Sequence, residues 1–509
     1  MAQQLQNITV QAPGFAGINS QDSPISLDQS FAATASNCII DEYGRIGARK
    51  GYTAVSTNNS NLGTSRGVEA LHESLDRSGD KVVFSGGNNK IFSGTALTDI
   101  TPAGYTPIAN NWKIVDFNNH TYFFQRGHEP LLYTDESGSG VLEAMSSHSH
   151  ATGTAPQGNE VLAAFGRLWV ADVTGNKHTV YWSDTLNGHA WTGGTTGSLD
   201  LTNVFPSGHD EIVALSAHNN FLVIFCKRSI IIYTGATSPA SMTLHDTVEG
   251  VGCIARDSVQ HTGTDIIFLS EDGVRSFGRT IQEKSMPMRD ISNNVRTELT
   301  TLVRSQLNPI KSLYSADEAF YLLSLQDSQT VYCFDMRTTL PDGANRVTTW
   351  SSVNPRSLAL LQDGSIYIGR EDGIFKYEGY QDNGSSYLMS YYSNPLNFGN
   401  STNLKFLKKF NITVIGNVAS NTTLAWGYDY DGGFIKKPFS TALANTPISE
   451  FNVDEFNIGK FTIGTDIQRP SVNTSGSGTV VTIGIESTIN GAPYSIQQID
   501  VHALLGRLI

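Results

Sequence analysis

Apolar runs separated by short polar turns recur along the middle of the chain. Each repeat has one apolar strand, a tight turn and a second apolar or aromatic strand, often followed by a third. Two examples are "KVVFSGGNNKIFSG" (81–94) and "IVALSAHNNFLVIFCKRSIIIYTG" (212–235). Short strands joined by Asn- and Gly-containing turns are typical of an all-β protein.

The repeats can be aligned on their central strands, and neighbouring central positions are 40–55 residues apart. The aligned positions are Phe84, Phe124, Val170, Phe225, Phe268, Leu322 and Ile368. A period of this length, built of strand–turn–strand units, is typical of a β-propeller with one four-stranded blade per repeat. We therefore predict a six- or seven-bladed β-propeller over residues 63–380. The alternative is a large sandwich of unrelated hairpins.

Two regions depart from the repeat. In "ISNNVRTELTTLVRSQL" (291–307), Val295, Leu299, Leu302 and Val303 share one helical face, which predicts a helix capped by Asn293 or Asn294 and inserted between repeats. Residues 381–509 contain alternating strands and are predicted to form a separate β-sandwich platform. Residues 1–62 lack a clear core of their own and are predicted to join that platform.

Charge is unevenly distributed along the 509 residues. The net charge is −13, and residues 61–384 hold 23 Lys and Arg against 35 Asp and Glu. An acidic domain repels phosphates, which argues against nucleic-acid binding by phosphate neutralisation. The 24 Phe, 19 Tyr and 6 Trp residues are enough to fill a folded core.

Features of export are not evident in the sequence. The N-terminus has no basic and apolar leader, and no apolar run is long enough for a membrane span. The cysteines Cys38, Cys226, Cys253 and Cys333 are scattered, so we expect reduced, mostly buried thiols in a protein made in a cytosol.

No catalytic motif is present, and we predict no catalytic residue, metal site or cofactor. "SDTLNGHAW" (183–191) is similar to the Asp-box turn of sialidase-like propellers, which is structural. His148 and His150 in "SSHSH" are expected in a solvated loop, because no matching carboxylate or thiol pair lies nearby in sequence. "DYDGG" (429–433) lacks the further acidic residue of an EF-hand and is expected to form a hairpin turn.

Five segments at both ends and in the middle of the chain carry a resemblance to a known family. They are "APGFAGINSQDSPISL" (12–27), "NCIIDEYGRIGARKGY" (37–52), "RDSVQHTGTDIIFLSEDGVRSF" (256–277), "SYYSNPLNFGNSTNLKFLKKFNI" (390–412) and "IGIESTINGAPYSIQQIDV" (483–501). In this order they resemble the tail nozzle and hub proteins of short-tailed bacteriophages. The resemblance implies a propeller and a platform built from both chain ends. It also implies a virion structural protein that forms a ring, commonly a hexamer, below the tail adaptor. Such a ring continues and closes the DNA ejection channel and carries tail fibres or tailspikes.

Two basic clusters become candidate interfaces under this resemblance. Arg45, Arg49 and Lys50 in "IIDEYGRIGARKGY" (39–52) could pair with carboxylates of a neighbouring subunit or of the adaptor, and intrachain salt bridges are the alternative. Lys405, Lys408 and Lys409 form the second cluster. A phosphate-binding role for the first cluster is disfavoured because no helix follows it.

A gate closing the channel would be made of long propeller loops. The candidates are residues 136–158 and 185–209, with His148, His150, Trp191 and Asp200 as gate residues. The alternative function is a carbohydrate-binding or glycan-cleaving propeller that serves as a receptor-binding tail component. A glycan-cleaving enzyme needs two carboxylates about 5–10 Å apart in a central funnel.

Overall fold

The computed structural model describes residues 5–24, 26–63, 67–75, 79–135, 140–205, 208–282, 290–400, 402–416, 421–430, 433–440 and 467–508. These residues form a β-propeller in the middle of the chain and a two-sheet platform made from both chain ends. Helix is confined to two short α-helices and a few 3-10 turns in these ranges.

Short strands precede the propeller. They are β1 (Leu5–Gln11), β2 (Gly17–Ile18), β3 (Phe31–Ser36), β4 (Cys38–Ile40), β5 (Ile46–Ala48) and β6 (Tyr52–Ala54). Most are too short to form a sheet alone, and all but β4, which pairs with β5, pair with strands far away in sequence.

Blades 1 to 4 of the propeller are antiparallel sheets of four consecutive strands. Blade 1 has β7 (Ala70–Leu75), β8 (Lys81–Gly87), β9 (Lys90–Ser93) and β10 (Thr98–Asp99). Blade 2 has β11 (Lys113–Phe117), β12 (His120–Phe124), β13 (Leu131–Thr134) and β14 (Val141–Ala144). Blade 3 has β15 (Gly158–Ala164), β16 (Arg167–Val173), β17 (Thr179–Trp182) and β18 (Gly197–Asp200). Blade 4 has β19 (Ile212–His218), β20 (Phe221–Cys226), β21 (Ser229–Thr234) and β22 (Thr243–Glu249).

A smaller, three-stranded sheet follows blade 4. It has β23 (Gln260–His261), β24 (Ile266–Ser270) and β25 (Gly273–Ser276), and is followed by α1 (Phe277–Gln282) and α2 (Arg296–Arg304). Blade 5 has β26 (Lys311–Ser315), β27 (Phe320–Leu325), β28 (Thr330–Thr339) and β29 (Asn345–Trp350). Blade 6 has β30 (Ser357–Leu360), β31 (Ile366–Arg370) and β32 (Gly373–Tyr377). The predicted propeller is confirmed as six four-stranded blades with this smaller sheet between blades 4 and 5.

The ring of blades is closed by the N-terminal segment. Strand β6 pairs antiparallel with β32, with Tyr52 opposite Tyr377, and so supplies the fourth strand of blade 6. Residues 1–62 therefore do not belong to the platform alone, because β6 is part of the propeller.

The repeat alignment is confirmed residue by residue. Each of the seven aligned positions lies, buried, on the second strand of its sheet. The Asn pairs 118–119 and 219–220 both have positive φ, as two-residue hairpin turns with right-handed twist require. The sequence pattern marked these turns because Asn tolerates the left-handed region better than most residues.

The C-terminal strands build most of the platform. They are β33 (Tyr387–Ser393), β34 (Asn403–Gly416), β35 (Asn421–Tyr428), β36 (Ile435–Ser440), β37 (Ile467–Gln468), β38 (Ser471–Asn473), β39 (Ser477–Gly478), β40 (Val481–Ile489) and β41 (Tyr494–Leu508). The "platform sheet" contains β1, β4, β5, β34, β37, β38, β39 and β41. The "bridging sheet" runs in the order β26-β27-β28-β29-β2-β3-β33-β40-β35-β36.

The bridging sheet joins the propeller to the platform. All four strands of blade 5 belong to it, and β2 and β3 connect them to the C-terminal strands. One continuous core contains Val347 of blade 5, Ala35 of β3, Tyr391 and Ile485 of the bridging sheet, and Phe410 of the platform sheet. The sandwich is therefore not the separate domain that the sequence predicted, because blade 5 of the propeller lies in the same sheet as its strands. N-terminal strands do join the platform, as predicted.

The predicted helix is confirmed only in its central part. Residues Asn293–Val295 form a 3-10 turn and α2 follows, with Leu299 and Val303 buried as the spacing predicted. The Asn cap prediction was wrong, because Val295 precedes α2 and no side chain caps it. Neither α1 nor α2, nor any other helix in the described ranges, is long and apolar enough to cross a membrane.

Candidate functional site

The propeller axis carries a network of buried charges. The first strands of the blades contact one another around the axis, and the turn Arg256–Ser258 takes the place between β19 and β26. Lys113 on β11, Glu160 on β15 and Lys311 on β26 converge there with Arg256 and Asp257. We name these five side chains the "axial network".

Asp257 is the centre of the axial network. Its Oδ2 accepts hydrogen bonds from Nη2 of Arg256 and from Nζ of Lys311, both at 2.8 Å. Burial raises the pKa of Asp257, but Arg256, Lys311 and Lys113 outweigh burial and hold that pKa well below its usual range. Arg256 also donates to Asn111 and Asn159, so it joins the segment before β11 of blade 2 to β15 of blade 3.

Glu160 has the opposite electrostatic environment. Burial raises its pKa to about 7, although Lys113 and Arg256 act against this shift. Its Oε2 has no hydrogen-bond partner and lies 3.8 Å from Nζ of Lys113, which is 3.7 Å from Oδ1 of Asp257. The two carboxyl groups are therefore close enough for an acid–base pair of the kind that cleaves glycans, about 5–10 Å apart.

Access to this pair is poor, however. A cavity of about 520 Å³ adjoins Arg256 and Asp257 on the side of α2, and one of about 150 Å³ adjoins Asp257 and Lys311 inside the ring. Glu160 lines neither of these cavities and is 2 % exposed. Both oxygens of Asp257 are already engaged by cations. The paired charges therefore link β11 to β15 and join both β11 and β26 to the turn Arg256–Ser258.

Arg49, predicted as an interface residue, lies in the core. Its guanidinium forms a two-pronged ion pair with Asp382, with Nη1–Oδ1 2.8 Å and Nη2–Oδ2 2.7 Å, and its Nε donates to Asn37. It also stacks over the Tyr387 ring at 4.1 Å. The interface prediction is wrong for Arg49, because a fully buried side chain with these internal partners cannot reach another subunit.

The other cations of the first cluster also have partners within the chain. Arg45 lies 3.6 Å from Asp41 and packs on Tyr43, and the half-exposed Lys50 pairs with Glu318 of blade 5. For Arg45 and Lys50 the structure therefore shows the alternative from the sequence analysis, which was intrachain salt bridges.

The second cluster is divided by a register shift of β34 between Leu407 and Lys409, which changes the face on which the following side chains lie. Lys405 is buried on β34, where its Nζ donates to the carbonyl oxygens of Asn400 and Thr479, so its interface prediction is wrong. Lys408 and Lys409 are exposed on the same strand of the platform sheet. These two remain available as interface residues.

The two long loops predicted as a gate contact each other. Of residues 136–158, the first four lie outside the described residues, as do 206–207 of the second loop. The amide of Thr152 donates to the carbonyl of His189 and that of Trp191 to the carbonyl of Thr152. Trp191 packs with Phe124 of β12, so the loops seal the seam between blades 2 and 3 away from the axial network.

His148 was predicted to lie in a solvated loop, but it is buried in this seam, whereas His150 is exposed. Nδ1 of His148 lies 2.8 Å from Oε1 of Glu143, and the rings of His120 and His189 are the neighbours of the His148 ring. Sequence reasoning missed this cluster because His120 and His189 are far from His148 in the chain. Glu143, which precedes His148 by five residues, was the sequence signal that His148 could have a buried partner.

The other loop predictions are turns. Asp184 accepts hydrogen bonds from the amide and hydroxyl of Thr195, which confirms a structural role for the Asp-box-like segment. Asp200 ends β18 at the surface, where it binds Thr202 and lies 3.7 Å from His178. Asp429 of "DYDGG" accepts from Thr479 and Val480, whereas Asp431 and Gly432 lie outside the described residues.

Fold and site together define a β-propeller protein with a β-sandwich platform. No protein-family profile and no curated protein matches the chain. Some solved structures are similar to the chain, at low identity and with TM-scores below 0.5. The extracellular domain of a one component system from B. thetaiotaomicron has 12 % identity and TM-score 0.41, covering 65 % of this chain and 40 % of that chain.

Two further structures are similar at the same level. PorZ, a surface component of the type-IX secretion system of Porphyromonas gingivalis, has 14 % identity and TM-score 0.35, covering 62 % of this chain and 37 % of that one. The WD40 domain of Neurospora crassa Pan2 has 10 % identity and TM-score 0.34, with coverage of 65 % and 95 %. The chain spans about two fifths of the first two of these proteins.

Proposed function

We propose that this protein is a virion structural protein, a subunit of the nozzle ring at the tail of a short-tailed bacteriophage. The observation that carries the proposal is the adjacency of the segments on which the sequence resemblance rests. The β4–β5 hairpin, from residues 37–52, pairs with β41, which contains part of 483–501, and β41 also pairs with β34, which contains part of 390–412. These pairings form a platform from strands of both chain ends, and the resemblance implies such a platform.

The axial network supports a structural role. The ion pair of Lys113 with Asp257 and the hydrogen bonds of Arg256 and Lys311 to Asn111 join blade 2 to the turn Arg256–Ser258 and to blade 5. Because these side chains reach across the inside of the ring, we expect one propeller to offer no path for duplex DNA. The proposed channel therefore runs between subunits of a ring, and the propeller serves as a rigid wall element with protected strand edges. Lys408 and Lys409 on the platform sheet are candidate contacts to a neighbouring subunit or to the adaptor. The ring assembles in the host cytoplasm and has no enzymatic activity.

The decisive experiment is the assembly state of the untagged full chain, measured by mass photometry and negative-stain microscopy with and without the tail adaptor. We expect closed rings. Lys408→Glu combined with Lys409→Glu should reduce assembly at least tenfold, while Lys81→Glu, an exposed lysine of blade 1, should not. A folded wild-type chain that stays monomeric with and without the adaptor would contradict the proposal.

A glycan-cleaving propeller is the second candidate, and the closeness of Glu160 to Asp257 favours it. A carboxyl with a pKa of about 7 beside an ionised one is the pattern of an acid–base pair. Release of sugars from host surface glycans by the wild type, but not by Glu160→Gln, would support this candidate against the nozzle. No release by either protein would remove it.

A further inference from the structure

Strand β1 forms an edge of the platform sheet. Among the described strands, only β41 pairs with it, along all of Leu5–Gln11 and without a register shift. A cavity of about 370 Å³ adjoins residues 6–8 of β1, and its other walls are residues 27–29 and 395–399 rather than β41. The side of β1 that faces away from β41 is therefore not covered by another described strand.

The backbone groups on the open side of β1 follow from its ladder with β41. The amide of Ala12, just beyond the paired residues, donates to the carbonyl of Gln497. In an antiparallel ladder, pairs that exchange hydrogen bonds alternate with pairs that do not. The N–H and C=O groups of Asn7 and Thr9 therefore point away from β41. Within the described ranges, neither residue takes part in a backbone–backbone hydrogen bond outside the strand ladders.

The open edge of β1 lacks the features that usually protect an edge strand from pairing. Such features are charged side chains, proline, β-bulges and very short strands. The sequence of β1, LQNITVQ, contains no charged residue and no proline, and its ladder has no bulge. In contrast, the outermost strands of blades 2, 3 and 4 (β14, β18 and β22) each contain a carboxylate. Strand β36, at the end of the bridging sheet, contains two lysines and Pro438.

We propose that β1 docks onto β1 of a second copy of this chain, the two strands pairing antiparallel about a two-fold axis at Ile8. In this register Asn7 of each copy lies opposite Thr9 of the other, so the outward N–H and C=O groups of these residues become partners. A second copy suits this edge because neither strand carries a charge, and no like charges meet across the pair. The two platform sheets become one continuous sheet.

This pairing goes beyond the proposed ring. A two-fold contact closes on itself, whereas the subunits of a ring meet head to tail. Lys408 and Lys409, the candidate ring contacts, lie on β34, and β41 separates β34 from β1. The two contacts can therefore be removed one at a time.

The test is sedimentation velocity of the untagged full chain at a series of micromolar concentrations, in the Lys408→Glu, Lys409→Glu background that removes the candidate ring contacts. We expect a reversible dimer. Thr9→Pro removes an outward N–H but no ladder hydrogen bond, as is tolerated on edge strands. It should weaken the dimer about 30-fold or more, because each pair loses two hydrogen bonds. The matched control is Thr9→Val, which keeps the N–H and should leave the dimer unchanged.

If Thr9→Pro does not fold, Asn7→Lys combined with Thr9→Lys replaces it, since this variant places like charges opposite each other across the pair. Amide hydrogen exchange in Leu5–Gln11 should slow as the concentration rises. A monomer at every concentration, or equal dimerisation of Thr9→Pro and Thr9→Val, would overturn the proposal. Dimers without rings would support this pairing and contradict the ring, whereas rings without dimers would do the reverse.

Discussion

Arg49 illustrates how a charged residue of a sequence motif can become part of the core. Its neighbours Arg45 and Lys50 remain partly exposed, yet Arg49 is fully enclosed by Asp382, Asn37 and Tyr387. Sequence spacing alone could not separate the three cations, because the carboxylate that binds Arg49 lies 333 residues away. The planar guanidinium suits this site because it can bond both carboxylate oxygens at once.

Breaking this pair should be strongly destabilising. Arg49→Met leaves the Asp382 carboxylate buried without its cation, and we expect a loss of about 3–5 kcal/mol in the free energy of unfolding. Denaturant unfolding measures it. Lys90→Met, which removes an exposed partner of Asp99, serves as the control and should cost less than about 1 kcal/mol. A comparable loss in both variants would contradict the prediction.

Glu160 should make stability depend on pH. Its pKa is raised from 4.5 to about 7 by burial, so the folded chain holds a proton that the unfolded chain has already released. The stabilisation is complete below about pH 4.5 and is lost as the pH rises to about 7. At pH 8, Glu160→Gln should be more stable than the wild type by about 3 kcal/mol.

The pH series of unfolding free energies from pH 4.5 to 8 tests this expectation. The slope in that window should become shallower in Glu160→Gln and should persist in Glu249→Gln, which changes an exposed carboxyl of blade 4. If the slope of unfolding free energy against pH is unchanged in Glu160→Gln, other groups cause the pH dependence.

At the scale of the element, β6 shows what the hydrophobic pattern can and cannot predict. The pattern located the second strand of every blade and of the three-stranded sheet, because those strands are largely buried and form apolar runs in the sequence. It did not predict that Tyr52–Ala54 closes blade 6, since a three-residue strand has no period of its own. The pattern also did not predict the cluster of His120, His148 and His189, because its members lie on segments far apart in the chain and so have no regular spacing in the sequence.

Gly51, directly before β6, should tolerate no side chain. A Cβ at this position would overlap the carbonyl group of Gln381. We expect Gly51→Ala to lower the free energy of unfolding by about 2 kcal/mol or more, because backbone would have to move. Thr53→Ala on the exposed side of the same strand should change it by less than about 0.5 kcal/mol. Equal stability of the two variants in thermal or denaturant unfolding would contradict this placement of β6.

At the scale of the whole molecule, the bridging sheet makes the propeller and the platform one structural unit. Its central strand β3 lies between β2 and β33, with Ala32 and Ala35 completely buried. The sequence predicted the two architectures but not their continuity, because the pairing of β3 with β33 joins residues more than 350 positions apart.

Disturbing β3 should therefore loosen both sides of the bridging sheet. Ala35→Asp places a carboxylate in the shared core, and we expect a loss of about 3 kcal/mol or more in unfolding free energy. Hydrogen exchange should become faster in Asn345–Trp350 of blade 5 and in Tyr387–Ser393 of the platform. Faster exchange on one side alone would mean that the two parts unfold independently.

The pairing of β1 with β41 has a consequence for the ribosome-bound chain. Thr9 lies opposite Asp500, and Ile46 of β5 lies opposite Ile496, so β1 has no strand partner, and β5 none besides β4, until the residues of β41 have been synthesised. At about 5–20 residues per second, that interval lasts roughly 25–100 s. The blades can form during synthesis, but ring closure through β6 and completion of the platform come last. A nascent chain stalled before residue 494 should accordingly expose its N-terminal segment to proteases that spare the finished protein.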